Sequence, residues 1–198
     1  MIKAVIFDFF GVIGRSTYQL VVQDLHLSKE QQSDLADLHK ALDNGFIDTT
    51  DFLRRYASIL QLEYSKFIDR YYDSLERFTT TPDMLALVKQ LRKTYKVGLL
   101  SNVEAESYIQ FIEPLVGNFD VVVTSFQVQL AKPEVAIYEH MAAELGTQPA
   151  ECIMIDDSKT NCEGALVAGM EAIQFISLKE TIKALRLLTG LKIEIKLG

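Results

Sequence analysis

Cysteine, basic charge and long apolar runs are all scarce in this 198-residue chain, and each shortage narrows what it can be. Only two cysteines occur, Cys152 and Cys162, at neither a CxxC nor a zinc spacing. Free thiols in a reducing, cytoplasmic compartment are the expectation. Twenty Lys and Arg face 27 Asp and Glu, a net charge of −7. Binding along a nucleic-acid backbone needs a basic surface, so nucleic acid is not an expected partner. A small phosphorylated ligand stays compatible, because a bound divalent cation reverses the sign of a site locally. No apolar run approaches the ~20 residues that span a bilayer, and MIKAVIFDFF is too short and wrongly flanked for a signal peptide. Membrane is therefore not an expected partner either. The histidines His26, His39 and His140 share no metal-ligand spacing and are expected at the surface or satisfied in the core. Oligomeric state leaves no trace.

What is present is a hydrophobic share of 48% and a charged share of 24%, the balance of a globular protein. The length suits one domain, or a core with a modest insertion. Ala4-Val5-Ile6-Phe7 is a short continuous apolar run, as expected of a buried parallel strand. Similar runs recur at Val97 to Leu100, Phe119 to Val123, Cys152 to Ile155 and Ala172 to Ile176. Helical patterns separate them: Pro82 to Thr94, Ala105 to Val116, Pro133 to Leu145 and Thr160 to Ala168. Pro82 and Pro133 suit a first helical turn, where the missing N–H costs nothing. This alternation predicts an α/β fold, a Rossmann-like doubly wound parallel sheet.

Between the first two strands the alternation stops. Tyr18 to Leu25, Lys29 to Leu42, Thr50 to Leu60 and Ser65 to Phe78 carry only helical patterns, with Asp48-Thr49-Thr50 supplying N-cap residues. Residues 15–80 are expected to form an inserted helical cap, and residues 1–14 and 81–198 the core. The insert would lie over the carboxyl end of the sheet, where such folds bind ligands. Tyr56, Tyr64, Phe67, Tyr71 and Tyr72 sit at helical spacing and suit cap packing or a pocket lining. Leu191 to Leu197 alternate and suit an edge strand.

The polar residues fall at strand ends. Asp8 ends the first strand, Ser101-Asn102 the second and Asp156-Asp157 the fourth, while Lys132-Pro133 open the preceding helix. In parallel strands these converge on one sheet edge. Each alone is common cap or turn chemistry. In this order they resemble the four signature motifs of the haloacid-dehalogenase superfamily: Phe7-Asp8-Phe9-Phe10-Gly11-Val12, Leu100-Ser101-Asn102, Lys132-Pro133 and Ile155-Asp156-Asp157. Finer similarity, Asn44-Gly45-Phe46-Ile47-Asp48 through Phe52 and Asp156 through Asn161, Gly164 and Ala165, is to the branch of soluble epoxide hydrolase phosphatase domains and bacterial sugar-phosphate phosphatases.

The resemblance implies a Mg²⁺-dependent hydrolase of a small phosphorylated metabolite, such as a sugar phosphate. Asp8 would attack phosphorus to give an aspartyl-phosphate. Asp8, Asp156 and the Phe10 backbone carbonyl would hold the cation. Lys132 would offset charge on the phosphoryl oxygens, and Asp157 would assist through bound water or by orienting Lys132. Ser101 would grip the phosphate, Asn102 brace the loop, Asn161 support the acidic pair and Gly11 allow a sharp turn.

The chain departs from that family at one position. Its phosphatases carry a second Asp two residues after the nucleophile, which protonates the leaving alkoxide and then activates water. Here that position is Phe10, and a positioned proton donor contributes ~10²–10⁴-fold. Three readings follow: a phosphatase that manages with substrate-assisted protonation, water or a leaving group needing little help, a protein that binds Mg²⁺ and a phosphorylated ligand without efficient turnover, or a 2-haloacid dehalogenase. The third resembles the chain in its aromatic residue but needs no cation, and paired carboxylates would burden it. Arg15 suits a carboxylate substrate or a hinge.

Overall fold

A computed structural model describes residues 1–14, 21–22, 24–43, 46–76, 79–103 and 105–193. Two compact units make up the chain, residues 1–14 with 80–198 and residues 15–79.

The first unit holds a five-stranded, all-parallel sheet: β1 (Ala4–Phe7), β2 (Lys96–Ser101), β3 (Val121–Thr124), β4 (Cys152–Asp156) and β5 (Glu171–Gln174), in the order β3-β2-β1-β4-β5. The Rossmann-like expectation is met. β1 is central, and successive strands depart from it in opposite directions, so its carboxyl end is the switch point where such sheets bind ligands. Ala4 pairs with Lys96 on one side and Cys152 on the other. That register brings the end of β1 level with the ends of both neighbours.

All four β1 residues are fully buried, which explains their unbroken apolar run. Ala4 and Ile6 face a cluster that includes Tyr138, Met141, Ala142 and Leu145 of one helix with Met154 and Ala165. By alternation Val5 and Phe7 point to the opposite face. In our numbering the core helices are α4 (Pro82–Leu91), α5 (Val135–Glu144), α6 (Lys159–Val167) and α7 (Leu178–Thr189), after three in the other unit.

The sequence expectation fails at four places in this unit. The helix expected from Pro133 starts at Val135, leaving Lys132-Pro133 in the preceding turn. The stretch expected as one α-helix from Ala105 is α-helical only to Ser107, then π-helical over Tyr108–Ile112 and 3-10 over Glu113–Asn118. Pro114 lacks the N–H that an α-helix would use there. Helix α7 was not expected at all, although Ser177 caps it by accepting from the Glu180 amide and Gly190 ends it at φ 71°. At the C-terminus, residues 191–193 are not strand, and the remainder of the expected edge strand lies outside the described residues.

The second unit contains α1 (Lys29–Asp43), α2 (Thr49–Ile59) and α3 (Tyr64–Glu76). Of the fourth expected helix, Tyr18 to Leu25, residues 18–20 and 23 lie outside the described residues, as do Arg15, Asn44 and Gly45, while Val21 and Val22 are helical. Asp48 caps α2 by accepting from the Asp51 amide at 2.8 Å. Phe52, Tyr56 and Phe67 are buried with Leu35 and Leu38, and Tyr56 stacks on Phe67 at 5.4 Å. These rings therefore serve packing. No described helix is long and apolar enough to cross a membrane.

His39 of α1 lies edge-on to Phe52 and Tyr56, at 5.1 and 5.6 Å. Burial pushes its imidazole down to about 4, from an ordinary 6.5. Unfolded chains then bind the proton more readily than folded ones, so stability is full above pH 6.5 and falls as pH drops from there toward 4. Between pH 7 and 4.5, urea titration should show wild type losing on the order of 1–2 kcal/mol more than His39→Leu.

Candidate active site

Asp8 is the first residue past β1, and its amide donates to the Ile155 carbonyl at 2.8 Å, extending the β1–β4 ladder by one step. Asp156 is the last residue of β4 and Asp157 the next. One carboxylate oxygen from each of Asp8, Asp156 and Asp157 lies within 4.8 Å of the other two. Lys132 reaches between them: its Nζ is 2.7 Å from Asp8 Oδ1 and 2.6 Å from Asp156 Oδ2. Its side chain is only 1% exposed.

Three carboxylates and one ammonium sum to two surplus negative charges, with Asp8, Asp156 and Lys132 buried away from water and Asp157 partly so. The titration behaviour follows. Burial, then the Asp156 charge, raises the Asp8 carboxyl well above the usual range despite Lys132. Burial and then Asp156 also raise Asp157. For Lys132 burial works downward, but Asp156 and Asp8 more than reverse it and hold the ammonium charged.

Asp156 is the best-fixed member. It accepts from Lys132, from the Ser158 amide at 2.9 Å, and on both oxygens from Asn161 Nδ2 at 3.1 Å. Ser158 is also the N-cap of α6, accepting from the Asn161 amide at 3.4 Å, so one turn places both donors. The Tyr138 hydroxyl, reaching across from α5, donates to the Asn161 carbonyl at 2.7 Å. Asn161 is thus anchored at both ends of its residue. Neither Ser158 nor Tyr138 was singled out in the sequence. The Ser-x-x-Asn cap signals Ser158, whereas Tyr138 has no local signal.

Lys132 is placed by its backbone. Asn102 Nδ2 donates to the Lys132 carbonyl and the Lys132 amide donates to Asn102 Oδ1, both at 2.9 Å. This pair of bonds ties the end of β2 to the turn before α5. The Lys132-Pro133 bond is cis. Helix α6 approaches it closely at Gly164, where a Cβ would lie 2.5 Å from the Pro133 carbonyl oxygen.

Ser101 closes β2 and is fully buried, yet its Oγ has no hydrogen-bond partner among the described residues. Leaving such a group unpaired costs about 1–3 kcal/mol, which a ligand oxygen would recover. Gly11 holds φ at +88°, and a Cβ there would fall within the Asp157 carboxylate. Glycine therefore serves both the turn and the approach of Asp157. Phe10 is partly exposed, its ring edge-on to Phe9 at 4.8 Å and to Phe111 at 6.2 Å.

The donor set fits a small divalent cation. It offers hard carboxylate oxygens close enough to share one ion, and their charge surplus equals the charge such an ion brings. Among the described residues this is the group of three or more His, Cys, Asp or Glu with metal-ligand spacing.

The sequence pattern of haloacid dehalogenase-like hydrolases matches residues 2–169. N-acylneuraminate-9-phosphatase of Rattus norvegicus is 31% identical over 106 residues, 52% of this chain and 43% of that protein, so less than half of that relative's length is matched. A phosphatase of Mycobacterium tuberculosis, MT3486, is 27% identical over 198 residues, covering 86% of each chain. Among solved structures, the HAD family enzyme bt-2542 of Bacteroides thetaiotaomicron, in complex with magnesium and inorganic phosphate, is similar in fold. Its TM-score is 0.60 at 22% identity, covering 91% of this chain and 99% of that one.

Proposed function

Since the chain belongs to the haloacid dehalogenase-like hydrolase family, we propose that it is a Mg²⁺-dependent phosphatase acting on a phosphorylated small metabolite. The observation that carries this reading is the cluster of three carboxylates around one buried lysine, two negative charges in surplus. A bound dication balances that surplus, which a neutral ligand or an organic monocation would not. Relatives named as phosphatases support the same class.

Asp8, Asp156 and the backbone carbonyl of Phe10 would hold magnesium, with Asp157 beside them. Bound there, magnesium supplies the positive charge that lets a carboxylate approach a phosphoryl dianion. Asp8 attacks phosphorus through its carboxylate oxygen, dividing one hard hydrolysis into two easier displacements. Lys132, held charged by Asp8 and Asp156, offsets the charge developing on the phosphoryl oxygens. Ser101 Oγ donates its unused proton to one of those oxygens, and Asn102 keeps Lys132 in register.

Phe10 favours a second reading, a protein that binds magnesium and a phosphorylated ligand without efficient turnover. A dehalogenase is disfavoured by the charge surplus, since displacement of halide from carbon needs no cation. The test is phosphate release from para-nitrophenyl phosphate, whose leaving group needs no proton. Release that requires Mg²⁺ and stops with EDTA supports the phosphatase. Magnesium and phosphate binding without release supports the second reading, and metal-independent halide release from 2-chloropropionate overturns both.

A further inference from the structure

We infer that the substrate's leaving oxygen departs as an unprotonated, weakly basic anion, so that the site works on aryl, enol or acyl phosphates in preference to alkyl phosphates. This rests on the phosphatase reading and narrows its substrate class.

The inference follows from what surrounds the nucleophile. Described side chains at Asp8 include Lys132, Asp156 and Asp157, and Phe9 and Phe10 follow it in the chain. Lys132 is clasped at 2.7 and 2.6 Å by two carboxylates, and handing over its proton would leave both uncompensated. Asp156 already accepts from Lys132, Asn161 and Ser158. Asp157 belongs to the same acidic cluster, its carboxylate within 4.8 Å of the other two. The Ser101 hydroxyl is far too weak an acid to protonate a leaving group and stay charged.

Two residues past the nucleophile stands an apolar wall. Phe10 is wedged edge-on between Phe9 and Phe111. Phe9 is fully buried and Phe111 nearly so, so the ring is held in place. Beyond Phe111 on the same helical stretch, Tyr108 meets the exposed Phe126 at 5.5 Å. The Phe10 and Phe111 rings offer contacts to a flat, apolar leaving group and no donor to an alkoxide.

The chemistry balances without an acid. An Asp8 oxygen bonds to phosphorus, the bond from phosphorus to the leaving oxygen breaks, and that oxygen keeps the electron pair as a phenolate, enolate or carboxylate. Water then bonds to phosphorus, the pair of the breaking acyl–phosphate bond returns to the Asp8 carboxylate, and both water protons leave on dihydrogen phosphate. An alkyl ester would have to expel an alkoxide in the first step and lose the ~10²–10⁴-fold that a positioned acid provides.

The test compares kcat/KM with Mg²⁺ for para-nitrophenyl, phenyl and phenylethyl phosphate, which are similar in size but differ in leaving-group basicity. Wild type should be slower on phenylethyl than on para-nitrophenyl phosphate by about 10²-fold or more. Phe10→Leu should keep that difference, and Phe10→Asp should reduce it by supplying a donor. A smaller difference in wild type overturns the inference while leaving the phosphatase intact. Absence of release from all three esters, or release that persists in Asp8→Asn, overturns the phosphatase reading and this inference with it. The wild-type series decides the matter even if a variant fails to fold.

Discussion

Lys132→Met should unfold far more readily than wild type in EDTA, and magnesium should restore much of the loss. Methionine approximates the volume of lysine, so the change removes charge without opening a large cavity. What it leaves is Asp8 and Asp156, both nearly or fully buried, with their shared partner gone. Breaking a buried pair in this way costs about 3–5 kcal/mol, a large part of the ~5–15 kcal/mol that holds a domain folded. A dication bound to the same carboxylates would supply the missing charge and stabilise by mass action. Urea midpoints in EDTA and in millimolar Mg²⁺ read both effects. A Lys132→Met protein as stable as wild type in EDTA would mean that the carboxylates are not charged together.

The second large effect is on turnover. Asp8→Asn should lower phosphate release by at least roughly 10⁴-fold, since an amide oxygen is no nucleophile toward phosphorus. Stability in EDTA should hold or rise. The folded state strains the Asp8 carboxylate by burial and by the neighbouring Asp156, and a neutral amide removes that strain while still accepting from Lys132. Opposite changes in activity and stability separate a chemical role from a structural one. A thermal melt beside a phosphate assay on the same preparation reads them.

Much of this site was legible in the sequence because its residues sit at strand ends. A buried parallel strand is an apolar run, so the first polar residue after it marks the sheet edge, as Asp8, Ser101 and Asp156 do. The parallel register then brings them together with no further information. Legibility ended where position depends on partners far along the chain. Tyr138 and Asn161 meet across two helices, and Asn102 finds the Lys132 backbone 30 residues away. No local pattern encodes either contact. Helix α7 is the opposite case. Ser177, Glu180 and Gly190 are ordinary start and stop signals that went unread. The break at Tyr108–Ile112 has only Pro114 to announce it.

The account stands on two surplus negative charges being matched by one dication. Calorimetric titration of the metal-free chain with Mg²⁺ tests this most directly. One ion per chain should bind, and Asp156→Asn, which removes a carboxylate while keeping an acceptor for Lys132, should weaken that binding at least ten-fold. No binding at millimolar Mg²⁺, or binding indifferent to Asp156→Asn, would contradict it.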